Sequence, residues 1–427
     1  MQNLFICTLV FFYMATANAQ NQPSGPFGGA FRHGNFATEL LIEIKTSDGS
    51  DQVLFSSPDQ NAYGIPTQDV VIDSDSIRFA LQSDSYRYEF YGIVQQDSLR
   101  LTLSVDNRNF PFSLARHKAH ENHQIVSSDV QFRSGELILY GTIHTPVHHN
   151  GKAIYLVTSS GNQDRSASRA EAQYLALQGF ITFHTDKRGT GLSQGNWQEA
   201  RIEELCADDM KAIAYLVEHN KLEYKNIGIK GSSQGASKVP YILSKMPELG
   251  FGIAVSCPAS TLLESDLNYW KNRARDELQQ EELVRAEHVQ RSVFRYIAGT
   301  LSREELNKEL EQVRNEEWMS SVWVPDLDSI TTDKKLNYSP MPYFEQAKQP
   351  LLVIQGSSDE IIPINSLEII KDLTESKNPR SEYIEIEQAD HAMMFKGESD
   401  FPYWPSLHPD YRPAMLKWLN QLSLADK

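Results

Sequence analysis

Gly231-Ser232-Ser233-Gln234-Gly235 decides how this chain is read. The five residues follow a short apolar run, Asn226 to Lys230, and open a helix-like run, Ala236 to Lys245. A G-x-S-x-G pattern between strand and helix makes a very tight turn. Glycine on either side lets neighbouring backbone pass close by, and the central hydroxyl is pushed out of the sheet. Ser233 is therefore the candidate nucleophile. A serine hydroxyl needs a base within hydrogen-bond reach, and the base needs an orienting acid. In a strand-turn-helix setting both are expected downstream, in the order serine, acid, histidine.

The apolar run Leu351 to Gln355 leads into Gly356-Ser357-Ser358-Asp359-Glu360-Ile361-Ile362-Pro363. An acid just past the C-terminal end of a buried strand is well placed, so Asp359 is the candidate acid and Glu360 its near competitor. The run Tyr383 to Ile386 reads as the last strand and is followed by Gln388-Ala389-Asp390-His391. His391 is the candidate general base; His408, after a Pro- and aromatic-rich stretch, is the weaker choice. Acyl transfer also needs an oxyanion hole. One donor is expected to be the backbone N–H of Gln234. The other is expected from the loop after Ala153 to Thr158, which reads Ser159-Ser160-Gly161-Asn162-Gln163-Asp164-Arg165. There the N–H of Ser160 is favoured, with Gly161 as the alternative.

The surroundings read as an α/β domain. Continuous apolar runs at Ala153–Thr158, Phe180–Thr185, Asn226–Lys230, Phe251–Ser256 and Leu351–Gln355 suit strands buried on both faces. Helical stretches at Ala167–Gln178 and Leu205–His219 alternate with them, which predicts a doubly wound, mostly parallel sheet. The alternation breaks between Ser256 and Leu351. A charged helical insertion, with a capping box at Ser302-Arg303-Glu304-Glu305, is expected there as a cap at about 258–340. Its aromatic residues Tyr269, Trp270, Phe294, Tyr296, Trp318 and Trp323 would line a substrate pocket or form the cap's own core. Residues 20–127 differ: Ile77, Phe79, Leu81 and Leu99, Leu101, Leu103, Val105 alternate with polar residues, as in a small all-β barrel or sandwich. The hydrolase-like domain is then 128–427.

These residues resemble the α/β-hydrolase superfamily, specifically bacterial exported serine esterases of dienelactone-hydrolase-like or serine-aminopeptidase-like type, with a β-rich domain in front. The resemblance is carried by the elbow, the Asp359 and His391 loops, and Ser160-Gly161-Asn162-Gln163-Asp164-Arg165. Asp186-Lys187-Arg188-Gly189-Thr190-Gly191-Leu192-Ser193 adds to it, as do Ser57-Pro58-Asp59-Gln60 and Gly64-Ile65-Pro66 more loosely. It implies hydrolysis of a small-molecule carboxylic ester through an acyl-enzyme on Ser233, without cofactor or metal. A peptidase or amidase of the same fold is the first alternative. A catalytically silent glycan- or lipid-binding protein is the second.

Other features exclude classes or point to bland roles. A net charge of −16 over 427 residues, with no basic stripe, argues against nucleic acid as partner. Leu4 to Ala15 is apolar and ends at Ala17-Asn18-Ala19, which predicts a signal peptide (residues 1–19) cleaved near Ala19, and so a periplasmic or secreted protein with no membrane span in the mature chain. His117, His120 and His123 read as a solvated linker, and His144, His148 and His149 likewise as flanks of a turn. Arg188 reads as a structural pair rather than a substrate clamp. Asp208 and Asp209 read as carboxylates at the start of a helix. Cys206 and Cys257 read as buried free thiols.

Overall fold

The structure is a computed structural model; it describes residues 24–47, 50–83, 86–117, 124–395 and 397–425. The alternating apolar residues of the N-terminal part build nine strands: β1 (Gly25–His33), β2 (Phe36–Ser47), β3 (Ser50–Ser57), β4 (Ala62–Pro66), β5 (Gln68–Asp73), β6 (Ser76–Gln82), β7 (Arg87–Val94), β8 (Ser98–Val105) and β9 (Arg108–Arg116). They form one sheet in the order β4-β3-β2-β1-β9-β8-β7-β6-β5. From β5 to β9 neighbouring strands are antiparallel, and their register lines up Phe79, Phe90, Leu103 and Phe110 across four strands. The Phe79 and Phe90 rings stack at 4.8 Å, and Phe79, Phe90 and Leu103 are fully buried. A one-residue slip would turn this whole row to the wrong face, so the pattern itself sets the register.

The chain forms two compact units. One comprises the chain up to Phe31, Leu41–Leu54 and Pro66–Lys118; the other comprises Arg32–Leu40, Phe55–Ile65 and Ala119–Lys427.

The second unit is built on eight strands: β10 (Ile125–Ser134), β11 (Leu137–Pro146), β12 (Ala153–Leu156), β13 (Ile181–Thr185), β14 (Ile227–Ser232), β15 (Phe251–Val255), β16 (Leu351–Gly356) and β17 (Glu382–Ile386). Their order is β10-β11-β13-β12-β14-β15-β16-β17. β10 and β11 pair antiparallel, as do β11 and β13; every other pair is parallel. This is an α/β-hydrolase sheet. β12, β13, β15 and β16 are buried along their whole length, which is why they read as unbroken apolar runs.

Helices cover both faces: α1 (Ser166–Leu177), α2 (Ile202–Asn220), α3 (Gln234–Lys245), α4 (Leu262–Ala274), α5 (Gln280–Ile297), α6 (Arg303–Val313), α7 (Met341–Phe344), α8 (Ser366–Thr374) and α9 (Tyr411–Ala425). Leu205 and Ile213 of α2, Ile242 of α3 and Ile370 of α8 pack in one core, and Leu175 of α1 with Trp418 of α9 in another. β17 is the last strand of this sheet, but not of the chain: Met394–Phe395 pairs with Ser406–Leu407 as a short separate ribbon.

The helices α4 to α6 occupy the interruption and carry their own core. Trp270, Phe294 and Trp318 are buried in it beside Leu283 and Val289, whereas Trp323 is half exposed. Ser302 and Glu305 form the capping box of α6, with Ser302 Oγ accepting from Glu305 N–H at 3.2 Å and Glu305 Oε2 accepting from Ser302 N–H at 2.9 Å. Cys206 and Cys257 are buried free thiols, and burial pushes both up in pKa. The expected signal peptide, His120 and His123 lie outside the described residues. Among the described residues no helix is long and apolar enough to cross a membrane.

Candidate active site

The turn from β14 into α3 puts Ser233 at φ 54° and ψ −125°, a conformation that costs a non-glycine residue about 1–3 kcal/mol. The flanking glycines are required by close approach. A Cβ on Gly231 would lie 2.3 Å from the backbone of Gly235; one on Gly235 would lie 3.1 Å from the carbonyl oxygen of Val157. The strained residue is held from both sides. Ser233 N–H donates to Val255 O at 2.9 Å, and its carbonyl accepts from Ser237 N–H at 3.1 Å. The N–H of Gln234, first residue of α3, has no acceptor within the helix and faces outward from its N-terminus.

Two further loops reach the same end of the sheet. Asp359 follows β16. Its Oδ1 accepts the N–H groups of Ile361 at 2.9 Å and Ile362 at 3.0 Å, and its side chain is wholly buried. His391 follows β17, and its Nδ1 donates to both Asp359 oxygens, at 3.0 Å each. A buried carboxylate on Nδ1 fixes the ring and leaves Nε2 as the working nitrogen. The His391 side chain keeps 21% exposure, so one side of the ring is open. Its backbone is tied to the strand beside the elbow, because Ser256 Oγ donates to His391 O at 2.8 Å and Ser256 directly follows Val255.

The structure thus joins Asp359 to His391 and sets Ser233 at the same end of the sheet, after β14, with β15 between β14 and β16. Among the described residues neither Ser233 Oγ nor His391 Nε2 is in a hydrogen bond, so the serine–imidazole bond is unmade. Such bonds often tighten only when substrate is bound. It is the Asp359 carboxylate that meets His391. The neighbouring Glu360 is exposed, and its carbonyl accepts from Asn272 of α4 at 2.8 Å. Asn268 of α4 donates to Ile361 O at 3.1 Å, so the inserted helices dock on the acid loop. His408 packs its ring on Phe395 and accepts Asp410 N–H, and it makes no hydrogen bond to Ser233 or Asp359 among the described residues.

The loop after β12 is bound to the elbow: Ser159 Oγ donates to Ser232 O at 2.9 Å. Ser160 is exposed, and among the described residues its N–H has no acceptor. Lys187 Nζ donates to Ser159 O at 2.8 Å and to Gly161 O. Loss of hydration, reinforced by the cations of Lys238 and Lys335 and opposed by Asp209, pulls Lys187 down to about 7.

Several buried polar residues around the elbow had no reading in the sequence. Lys238 is fully buried on α3 and donates to Asp209 Oδ2 and Thr158 Oγ1, both at 2.7 Å. Tyr155 OH donates to Asp209 Oδ1 at 2.7 Å. Lys230 of β14 donates to Glu171 and, at 2.8 Å, to Ser232 Oγ. The signal available was a lysine inside an otherwise apolar strand. Asp208 and Asp209 do not start a helix, because α2 begins six residues earlier, at Ile202. Asp208 pairs with Arg188 at 2.6 Å, which makes that arginine structural. His144 also departs from expectation: it is buried, with its Nε2 3.1 Å from His184 Nε2. The alternation of β11 turns it inward, which its place near a turn concealed.

A cavity of about 790 Å³ lies at the other end of the sheet, lined by Lys152, Asn226, Gly250 and Pro350, each just before a strand. Ligands of open α/β sheets bind at the carboxyl ends of the strands, so this cavity is not the reaction site. A smaller one, about 260 Å³, lies beside the acid loop, between Glu264, Asn268 and Lys271 of the insertion and Pro363 to Ile369.

The fold, with Asp359 and His391 hydrogen-bonded at its strand ends, is that of the α/β-hydrolase class. The X-Pro dipeptidyl-peptidase family (S15) matches residues 138–393, more than half of the chain, and the chain belongs to it. No curated protein matches. Among solved structures the chain is similar to an esterase of Pyrococcus furiosus (16% identity, 71% of this chain and 94% of that one, TM-score 0.48). It is also similar to a proline iminopeptidase of Mycobacterium smegmatis (15%, 70% and 100%, 0.47) and to the Est1E protein of Butyrivibrio proteoclasticus, solved with ferulic acid (14%, 70% and 100%, 0.45).

Proposed function

We propose that this hydrolase cleaves carboxylic esters through an acyl-enzyme on Ser233. The observation that carries the reading is the Nδ1 of His391 held on both oxygens of buried Asp359, at the end of the sheet where β14 ends in a serine strained at positive φ. His391 Nε2 takes the Ser233 proton as Oγ attacks the acyl carbonyl. The carbonyl oxygen becomes an oxyanion between the N–H groups of Gln234 and Ser160. On collapse His391 gives the proton to the departing alcohol, and water then repeats the sequence to release the acid. An ester is the preferred substrate because an alkoxide leaves with less assistance than an amine. Family membership favours a second reading, release of X-Pro dipeptides from a peptide N-terminus.

The test is a side-by-side assay of p-nitrophenyl esters of graded chain length and X-Pro-p-nitroanilides, with Ser233→Ala alongside. Faster turnover of esters supports the first reading, and faster turnover of the anilides selects the second. Retained activity in Ser233→Ala removes both. Export is proposed on the leader-like segment ending at Ala19. N-terminal sequencing of the protein recovered outside the cytoplasm tests it, and an intact Met1 there would refute cleavage.

A further inference from the structure

Lys187 is almost wholly buried, yet among the described residues it is in no ion pair. Its ammonium instead bonds the carbonyl oxygens of Ser159 and Gly161 and lies 4.4 Å above the Trp197 ring. The first of these contacts is specific in what it touches. The carbonyl of Ser159 and the N–H of Ser160 belong to one planar peptide, pointing in opposite directions. A cation on that carbonyl therefore draws electron density from the N–H on the far side, and hydrogen bonds linked in this way strengthen one another. The N–H of Gly161, the alternative donor, belongs to the next peptide, whose carbonyl Lys187 does not bond. The elbow donor is served in the same manner, because the carbonyl sharing a peptide with Gln234 N–H accepts from Ser237.

We propose that Lys187 is the positioning residue of the oxyanion hole, holding the loop at Ser159 and Gly161 and polarising the Ser159–Ser160 peptide toward the oxyanion. The inference rests on the acyl-enzyme reading above. Lys238 and Lys335 are cations nearby, each occupied by its own carboxylate, Asp209 and Asp333. Lys187 has no counter-ion of its own, and negative charge developing on the substrate oxygen supplies one in the transition state only.

The test uses the full chain with p-nitrophenyl butyrate as substrate and a phenyl trifluoromethyl ketone as a tetrahedral, oxyanion-forming inhibitor. Losing a whole oxyanion donor costs ~10²–10³ in kcat, so Lys187→Met, acting through a donor that remains, is expected to cost about ten- to a hundredfold in kcat with KM changed less than about twofold. The ketone's Ki is expected to rise by the same factor as kcat/KM falls. Lys187→Gln, which keeps a donor and removes the charge, is expected to fall with Lys187→Met, and Lys187→Arg to recover most of the loss. A merely structural lysine would lower the melting temperature without moving the ketone in step with kcat. The proposal is overturned if kcat/KM of the Met or Gln protein stays within about twofold of the parent. It is equally overturned if the loss lies wholly in KM, or if kcat falls while ketone affinity is unchanged. Failure of the underlying reading is a different result, turnover persisting in Ser233→Ala.

Discussion

Acidification should destabilise the second unit through its buried histidine pair. His144 and His184 stack with centroids 5.2 Å apart, their Nε2 atoms share one proton's worth of hydrogen bond at 3.1 Å, and both rings are buried. Their outer nitrogens are already used: His144 Nδ1 meets Ser127 Oγ at 2.7 Å and His184 Nδ1 meets Arg165 O at 2.8 Å. Burial pulls His144 down to about 4 and His184 well below its usual value, and Arg169 pushes in the same direction. Below about pH 6.5 the unfolded chain takes up protons at these rings and the folded chain does not. The unfolded state then binds more protons, so stability falls as pH drops below about 6.5, and the His144 share of that fall is complete near pH 4. For His144 alone this amounts to about 2–3 kcal/mol by about pH 4.5, and His184 adds to it with the same sign.

The assay is urea unfolding at about pH 7 and about pH 4.5, followed by tryptophan fluorescence. All 6 tryptophans, Trp197, Trp270, Trp318, Trp323, Trp404 and Trp418, lie in the second unit, so the signal reports that unit alone. Carboxylates also titrate in this range, so the quantity to read is the difference between parent and His144→Gln. The variant is less stable at neutral pH, having lost stacking, but its loss between the two pH values should be smaller by about 2–3 kcal/mol. Equal losses in parent and variant would refute the argument.

Other expectations follow from the same contacts. Asp359→Asn should lower kcat on p-nitrophenyl esters by about 10⁴, because the imidazole loses the partner that fixes its tautomer, whereas Glu360→Gln should leave the rate near the parent's; the opposite order would move the acid by one residue. Gly231→Ala puts a methyl 2.3 Å from Gly235 backbone and should yield no folded protein, whereas Gly235→Ala meets Val157 O at 3.1 Å and should fold with its ester rate cut, as judged by circular dichroism and turnover. Asp209→Asn or Lys238→Met alone strands a buried charge and should cost about 3–5 kcal/mol in urea unfolding, and the double variant should recover most of it.

The fold was legible because the central strands are buried on both faces. Ala153–Leu156, Phe251–Val255 and Leu351–Gly356 carry almost nothing polar, and each is found within about two residues of where its apolar run lies. The Asp359 and His391 loops were legible for a related reason: each chemical residue follows a strand end, which leaves few positions open. What stayed hidden was tertiary pairing. Nothing local says that Lys238, on a helix face, meets Asp209 twenty-nine residues earlier, or that His144 stacks on His184 forty residues later. Asp208 and Asp209 were misplaced because Ile202-Glu203-Glu204 already begins the helix, turning both carboxylates from its start into its buried face. The cap's tryptophans were ambiguous, since packing and substrate binding ask for the same side chains.

The buried lysines around the elbow raise a question that stability does not answer. Taking an ammonium out of water costs several kcal/mol even after relaxation, and well-packed apolar side chains often serve as well as a buried ion pair. Lys230 and Lys238 each have a carboxylate, Glu171 and Asp209, so neither charge is stranded. What an apolar pair would not supply is direction. Lys230 donates to Ser232 Oγ, immediately before the strained serine, and Lys238 donates to Thr158 Oγ1, immediately before the loop that carries Ser160. Ser159 Oγ then closes the gap by bonding Ser232 O. The two loops proposed to carry the oxyanion donors are thus cross-linked by hydrogen bonds whose geometry tolerates little drift. A donor displaced by about 1 Å loses much of its effect on a developing charge. That is a reason for such a network to persist here, at the C-terminal end of β12 and β14, while the opposite ends of the same strands, around Lys152 and Asn226, border open space.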